Sequence, residues 1–162
     1  MHPLRVKYLA VETAISMAIN GLLSAGFAWL IFHGQDYVPI NGPGGLVRDA
    51  GPQTFMIALM GTLVPSLITR QRMRAGHLDA WLQRHSGARQ RRGSTIFLRA
   101  LVMAIVGVAL GLAINQAILP LLFPAALAYE RVLLFKTVYG LLVALVVTPF
   151  AVSWVLKESL PG

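Results

Sequence analysis

Apolar residues are gathered along the chain into four long segments, which are separated by shorter polar stretches. These segments cover residues 9–32, 52–69, 96–123 and 132–156. The hydrocarbon core of a bilayer is about 30 Å thick and needs about 20 helical residues to be crossed. Each segment is long enough to cross it, the second only just. The pattern predicts an all-α protein with four transmembrane helices in a single membrane domain, residues 1–162.

Polar residues interrupt the first segment at every fourth position, which places them on one face of a helix. We call Glu12, Ser16, Asn20 and Ser24 the polar stripe. A carboxylate inside a span is costly and is by default a functional candidate. Lys7 or Arg99 could neutralise it, and a purely structural role stays open. The candidate pathway residues are Glu12, Ser16, Asn20, Thr62 and Asn115.

Small residues and prolines mark the other three segments. Gly107 and Gly111 form a GxxxG pair, which predicts a close helix contact. Pro65 and Pro149 each leave a carbonyl one turn earlier without its helical donor, so each marks either a packed kink or a hinge. Hydroxyl groups and small side chains serve helix packing as readily as a pathway.

The composition and the distribution of charge place the chain in a membrane. Hydrophobic residues make up 56% of the sequence and charged residues only 12%, against about 25% charged in soluble domains. Eleven of the 14 lysines and arginines lie beside the starts of spans one and three or the ends of spans two and four. Positive charge is concentrated on the cytoplasmic side of membrane proteins. The chain is therefore expected to be multi-pass with both termini in the cytoplasm, and its net charge of +8 needs no nucleic-acid partner.

The basic link between spans two and three, residues 70–95, has apolar residues at helical spacing. A short helix lying on the inner leaflet, with arginines toward anionic headgroups, is favoured over a solvated connector. The residues expected at lipid headgroups are Arg70, Arg72, Arg74, Trp81, Arg91 and Arg92.

The two halves of the sequence resemble one another weakly. "AIN" occurs at residues 18–20 and again at 113–115, and spans two and four each carry a threonine about three turns before a proline. Both halves begin and end on the same side, so the repeat would consist of two parallel helical hairpins. Chance similarity is the alternative.

Signals of catalysis are weak throughout the chain. Cysteine is absent, which excludes thiol nucleophiles and thiolate metal sites. His77 and His85 are too far apart for a helical metal pair, and His33 with Asp36 is more typical of two polar loop residues. The glycine-rich "NGPGGL" at residues 41–46 follows no predicted strand and indicates a tight turn. We expect no enzyme and assign no cofactor.

The segments "VPINGPGGLVRDAGP" and "QTFMIALMGTLVPSLITRQRMRAG" are similar to small uncharacterised bacterial inner-membrane proteins. The resemblance covers mainly the first hairpin and its loop. It implies a bacterial plasma membrane and supplies no activity or site residues.

Two functions are compatible with these features. The leading hypothesis is a small transport or permeation module that acts as an oligomer, because four helices enclose little space. The alternative is a non-catalytic accessory or assembly subunit of a larger membrane complex, packed through its small-residue faces.

Overall fold

The computed structural model describes residues 3–77, 93–123 and 125–157. This part of the chain forms four long helices and two short strands. All four helices are long and apolar enough to cross a membrane, with mean hydropathies between 1.3 and 2.4, and the prediction of an all-helical protein with four such helices is confirmed. The elements are α1 (Pro3–Phe32), β1 (Tyr37–Pro39), α2 (Leu46–Arg74), α3 (Gly93–Leu122), β2 (Ala126–Ala128) and α4 (Tyr129–Lys157).

Helix α2 begins six residues before the apolar segment that predicts it. Gly45 precedes its first residue, and the helix runs continuously through Pro52 and Pro65. The added turn brings the charged residues Arg48 and Asp49 into the helix. Hydropathy could not show this, because a charged helical turn and a polar loop have the same hydropathy pattern. Whether the turn is helical depends on a partner for its charge elsewhere in the fold.

The turn between β1 and α2 is shaped by glycine. Gly42 and Gly44 have φ angles of +94° and +76°, a region that other residues adopt only with strain. The Gly45 N–H donates to the Gly42 carbonyl over 3.1 Å. The sequence "NGPGGL" predicted a tight turn here.

Strands β1 and β2 pair antiparallel and tie the two helix connections together. Val38 lies opposite Leu127, and the pairing is extended by a bond of 2.9 Å from the Ile40 N–H to the Ala125 carbonyl. We call this end of the molecule the ribbon end. The opposite end, where α1 and α3 begin and α2 and α4 finish, is called the basic end.

The helices pack in an interleaved order rather than as two separate hairpins. The extensive contacts are between α1 and α4, between α2 and α3, and between α2 and α4. Helix α1 touches α2, its neighbour in the chain, only over a short length. Each hairpin is therefore stabilised mainly by a helix of the other.

A cluster of large apolar side chains fills the interior beneath the ribbon, where Phe32, Leu46 and Leu119 are buried with Val38. At mid-height the interior is built from small residues such as Ala58 and Ala104. The outer surface is apolar: among the exposed side chains, the relative exposure of Leu22 is 75% and that of Leu121 is 84%. Apolar groups outside and small or polar groups inside suit hydrocarbon as the surrounding solvent.

Candidate functional site

The polar stripe of α1 is entirely buried. Glu12, Ser16, Asn20 and Ser24 are each at most 6% exposed, although α1 carries large exposed apolar residues on its other faces. Burial of a whole polar face is stable only if its groups find partners, because an unpaired polar group in hydrocarbon is costly. Glu12 finds its partner on α2 and Ser16 on α4, whereas Asn20 bonds to Ser16 within α1.

At the basic end, the stripe begins with an ion pair between α1 and α2. Arg72 donates from Nη1 to Glu12 Oε1, and one turn away the Tyr8 hydroxyl lies 3.1 Å from Thr69 Oγ1. Sequence reasoning proposed Lys7 or Arg99 as the partner of Glu12 and placed Arg72 at lipid headgroups. In the structure Arg72 is 39% exposed and reaches inward to the carboxylate.

Arg99 has a different environment. Its guanidinium carbon lies 5.6 Å from the centre of the Trp154 ring, a cation–π contact between α3 and α4. This contact holds the charge at the basic end of the molecule.

At mid-height, the stripe is hydrogen-bonded to α4. Thr148 donates from its hydroxyl to Ser16 Oγ over 2.7 Å. The Asn20 amide donates to the Ser16 carbonyl over 2.8 Å, with a longer contact of 3.2 Å to Ser16 Oγ. Three polar side chains thus bond to one another in the interface between α1 and α4.

Ser24, the next residue of the stripe, packs against the backbone of α4. An added Cβ on Gly140 would lie 2.1 Å from Ser24 Oγ, so only glycine leaves room for the hydroxyl. Ser24 is 2% exposed, and its Oγ has no hydrogen-bond partner in the described part of the chain.

A second ion pair joins α2 to α4 near the ribbon end. Lys136 donates from Nζ to Asp49 Oδ2 and to Gln53 Oε1 over 2.7 Å. Gln53 returns a bond of 3.3 Å from Nε2 to the Lys136 carbonyl. Lys136 is 1% exposed and Asp49 21%, so the lysine is almost fully enclosed.

Sequence reasoning did not select this Asp49–Lys136–Gln53 group, which we call the charged cluster. A lysine at the centre of a membrane helix costs about 2.5–3.5 kcal/mol on insertion scales, so a lysine inside span four was itself a signal. In the charge distribution of the sequence, it is one of the three lysines and arginines that lie on the side opposite the other eleven. Its partners could not be assigned, because they lie 83 and 87 residues away in sequence.

A cavity of about 270 Å³ lies between α1 and α2 in the half nearer the ribbon. Its walls are mostly apolar, and its polar lining comes from the stripe and the charged cluster. The residues that line it include Asn20, Leu23, Ser24, Phe27, Met56 and Lys136.

The glycines of α3 pack against α2. An added Cβ on Gly107 would lie 3.2 Å from Ala58 Cβ, and one on Gly111 would lie 3.0 Å from Thr54 Oγ1. The Thr54 hydroxyl also lies 2.6 Å from that of Tyr139 on α4. Asn115 continues the glycine line and donates to the Gly111 carbonyl over 2.7 Å. The predicted pathway residue Asn115 thus lies on α3, along a line that packs against α2 and not on the stripe of α1.

The proline regions stay helical. Pro65 is buried with Thr62 and Ser66, whereas Pro149 is half-buried. Thr62 Oγ1 is enclosed without a hydrogen-bond partner in the described residues, and the hydroxyl of Thr148, beside Pro149, is directed to α1. Both helices run through their prolines without interruption.

The residues expected at lipid headgroups are only partly described. Arg70 is half-buried and Arg74 is exposed, both in the last turns of α2. Trp81, Arg91 and Arg92 lie outside the described residues, and so does most of the predicted interfacial helix. Within the described residues, no group of three or more histidines, aspartates and glutamates could hold a metal ion.

Four apolar helices around a buried polar interior define the chain as a multi-pass helical membrane protein. In comparisons with known proteins, no family model, curated protein or solved structure matches this chain.

Proposed function

We propose that this protein is a small transport or permeation module of a bacterial plasma membrane. The proposal is carried by one observation: buried polar groups follow one another along the length of the bundle. The series starts at the Arg72–Glu12 pair, continues through Ser16 and Asn20, and ends at the charged cluster. Packing alone needs small residues but no ionisable groups, which are costly in a membrane and mark pathways.

The proposed orientation places both termini in the cytoplasm. Of the described lysines and arginines, seven lie at the basic end and three at the ribbon end, and one of those three is buried in the charged cluster. The excess of positive charge at the basic end supports its location on the cytoplasmic side. The basic-end residues are Arg5, Lys7, Arg70, Arg72, Arg74, Arg99 and Lys157.

A duplication of one helical hairpin is part of the proposal, and matched contacts in the two halves support it. Asn20 and Asn115 each donate to the carbonyl four residues earlier, over 2.8 and 2.7 Å. Thr54 and Thr137 do the same over 2.6 and 2.7 Å. Exchanging the hairpins also exchanges the α1–α4 contact with the α2–α3 contact, as expected for parallel repeats about an axis along the membrane normal.

The polar series contains no open path through a single copy of the protein. We therefore propose that the protein works as an oligomer. Ser16 and Thr148 are in direct hydrogen-bond contact at 2.7 Å, and no room for a hydrated solute remains between them. Conduction would require α1 to separate from α4, and a second copy beside α1 would line the opening. The proposed roles are proton or cation exchange at Glu12 and hydrogen-bonded relay through Ser16 and Asn20. No catalytic step is involved.

A proton-flux assay tests this proposal. The full chain is reconstituted into liposomes that contain a pH-sensitive dye, and a potassium gradient with valinomycin drives protons inward. Glu12→Gln should reduce the protein-dependent flux at least about tenfold, because the amide keeps a hydrogen bond to Arg72 but cannot ionise. Asn20→Ala and Thr62→Val should weaken it. Glu130→Gln, at an exposed carboxylate on α4, is the matched control and should not.

The alternative function is that of an accessory or assembly subunit within a larger membrane complex. The closed, fully packed contact of Ser16 with Thr148 favours it, since a scaffold needs no path. On this alternative, wild-type protein carries no proton flux, Glu12→Gln is silent, and the chain co-purifies with other subunits after mild solubilisation. Those three results together would replace the transport proposal.

A further inference from the structure

We infer that the cavity between α1 and α2 binds one ester-linked acyl chain of a membrane lipid, with the ester carbonyl next to Lys136. The inference is independent of the proposed function, because binding is measured without any flux. It differs from the non-specific contact of any membrane protein with lipid, because a particular side chain, Lys136, binds the ester carbonyl.

The cavity is open to the bilayer on the side where α1 and α2 are apart. Helices α1 and α2 are joined at the basic end by the Glu12–Arg72 pair and by the Tyr8–Thr69 contact of 3.1 Å. Toward the ribbon they separate, and α4 closes the back of the gap. The side chains at the mouth are half exposed, with values of 50% for Leu23, 51% for Phe27 and 44% for Met56. A lipid chain can therefore enter from the side.

The volume and depth of the site select an ester-bearing chain. A volume of about 270 Å³ is below the usual range of about 300–1,000 Å³ for ligand pockets, so the cavity is too small for a whole diacyl lipid and holds part of a single chain. Lys136 lies seven residues into α4, or about 10 Å below its end at 1.5 Å per residue. The headgroup layer on each side of a bilayer is about 5–8 Å thick. With the start of α4 at the outer edge of the headgroup layer, Lys136 would lie near the hydrocarbon boundary, where the ester carbonyls of lipids are.

The hydrogen-bonding groups that line the cavity favour an uncharged acceptor on the bound molecule. The charges of Asp49 and Lys136 cancel, so a phosphate or a carboxylate would bring an uncompensated charge. The ammonium has three donors, of which Asp49 and Gln53 take two. Ser24 also lines the cavity, but its enclosed hydroxyl faces Gly140 of α4, which leaves the ammonium as the donor. A carbonyl oxygen matches this unused donor, whereas an ether oxygen is a much weaker acceptor.

The test compares two probes that differ in that carbonyl alone: monoolein, a monoacylglycerol, and its oleyl ether analogue. Binding to the delipidated full chain in detergent is measured by native mass spectrometry over a range of probe concentrations. A hydrogen bond to a charged group is worth about 1.5–3 kcal/mol, so monoolein should bind at least about tenfold more tightly. Equal binding of the two probes would overturn the assignment of the carbonyl to Lys136.

Variants then locate the binding. Met56→Trp fills the mouth of the cavity and should abolish binding of both probes. Val64→Trp, at a residue of α2 with a similar exposure of 43% that does not line the cavity, should leave binding unchanged. The double variant Asp49→Asn, Lys136→Met removes both charges together and should make ester and ether bind equally.

Three outcomes contradict the inference. Retained binding in Met56→Trp would place the lipid elsewhere on the surface. A persistent ester preference in the double variant would assign the carbonyl to another donor. Displacement of monoolein by a tenfold lower concentration of a decyl benzoquinone would assign the cavity to a quinone instead. Melting curves of each variant in the same detergent show which proteins are folded.

Discussion

Thr148 of α4 donates a hydrogen bond of 2.7 Å to Ser16 of α1, and both residues are buried in the interface between the two helices. The bond joins segments 132 residues apart in sequence. It closes the polar series at mid-height. Its strength therefore bears both on the stability of the bundle and on any opening between α1 and α4.

We expect the bond between Ser16 and Thr148 to stabilise the folded protein modestly. Hydrogen bonds between membrane helices average about 0.6 kcal/mol in double-mutant cycles, with a maximum of about 1.7. Thr148→Val keeps the volume and removes the hydroxyl, so it should lower the unfolding free energy by about that amount. A cycle with Ser16→Ala, measured by denaturant unfolding in mixed micelles, isolates the pair. A coupling energy of zero would show that the contact contributes only packing.

Alanine substitutions at the glycines should destabilise the protein more where there is less space around the glycine. A Cβ on Gly111 would lie 2.7 Å from the Tyr139 hydroxyl and 3.0 Å from Thr54 Oγ1. It would therefore disturb their mutual hydrogen bond, and overpacking typically costs about 1–3 kcal/mol. Gly107→Ala, with its nearest contact at 3.2 Å, should cost less.

Gly26→Ala is the matched control for these two substitutions. Within 4 Å of its Cβ position there is no atom of the described chain, and alanine is the better helix former by about 1 kcal/mol. The melting temperatures should therefore rank Gly26→Ala highest and Gly111→Ala lowest. Equal melting temperatures for Gly111→Ala and Gly26→Ala would contradict the close approach of α3 to α2.

Removing one charge of the Asp49–Lys136 pair should destabilise the protein more than removing both charges. Lys136→Met leaves the Asp49 carboxylate beside the membrane interior without its partner, and loss of one member of a buried pair costs about 3–5 kcal/mol. Because Asp49 is 21% exposed, we expect the lower end of that range. Adding Asp49→Asn should restore most of the stability, as yield and thermal unfolding in detergent can show. If the double variant is no more stable than the single one, the carboxylate is satisfied without the lysine.

Reporter fusions test the proposed orientation. A fusion at residue 85 and one at the C-terminus should report the cytoplasm, whereas one at residue 42, in the turn beside the ribbon, should report the opposite side. The physical reason is the excess of arginine and lysine at the basic end. Any other pattern of the three fusions contradicts either the orientation or the four-span topology.

The sequence by itself determined the features that depend on neighbouring residues. Four helices follow from four apolar segments, because hydrophobic length and the internal hydrogen bonding of a helix are local properties. The polar stripe follows from i, i+4 spacing, and all of its members are buried. The turn at residues 41–45 follows from glycines that can adopt positive φ angles.

Only the tertiary structure decided which of these elements meet. The partner of Glu12 is Arg72, 60 residues away, and not one of the two basic residues considered from the sequence. Asp49 and Lys136 are 87 residues apart. Their pairing also explains why α2 begins at Leu46: a charged helical turn is tolerated there because its charge is neutralised across the bundle. Pair interactions of this kind depend on how the helices pack against one another, which local hydropathy and spacing do not encode.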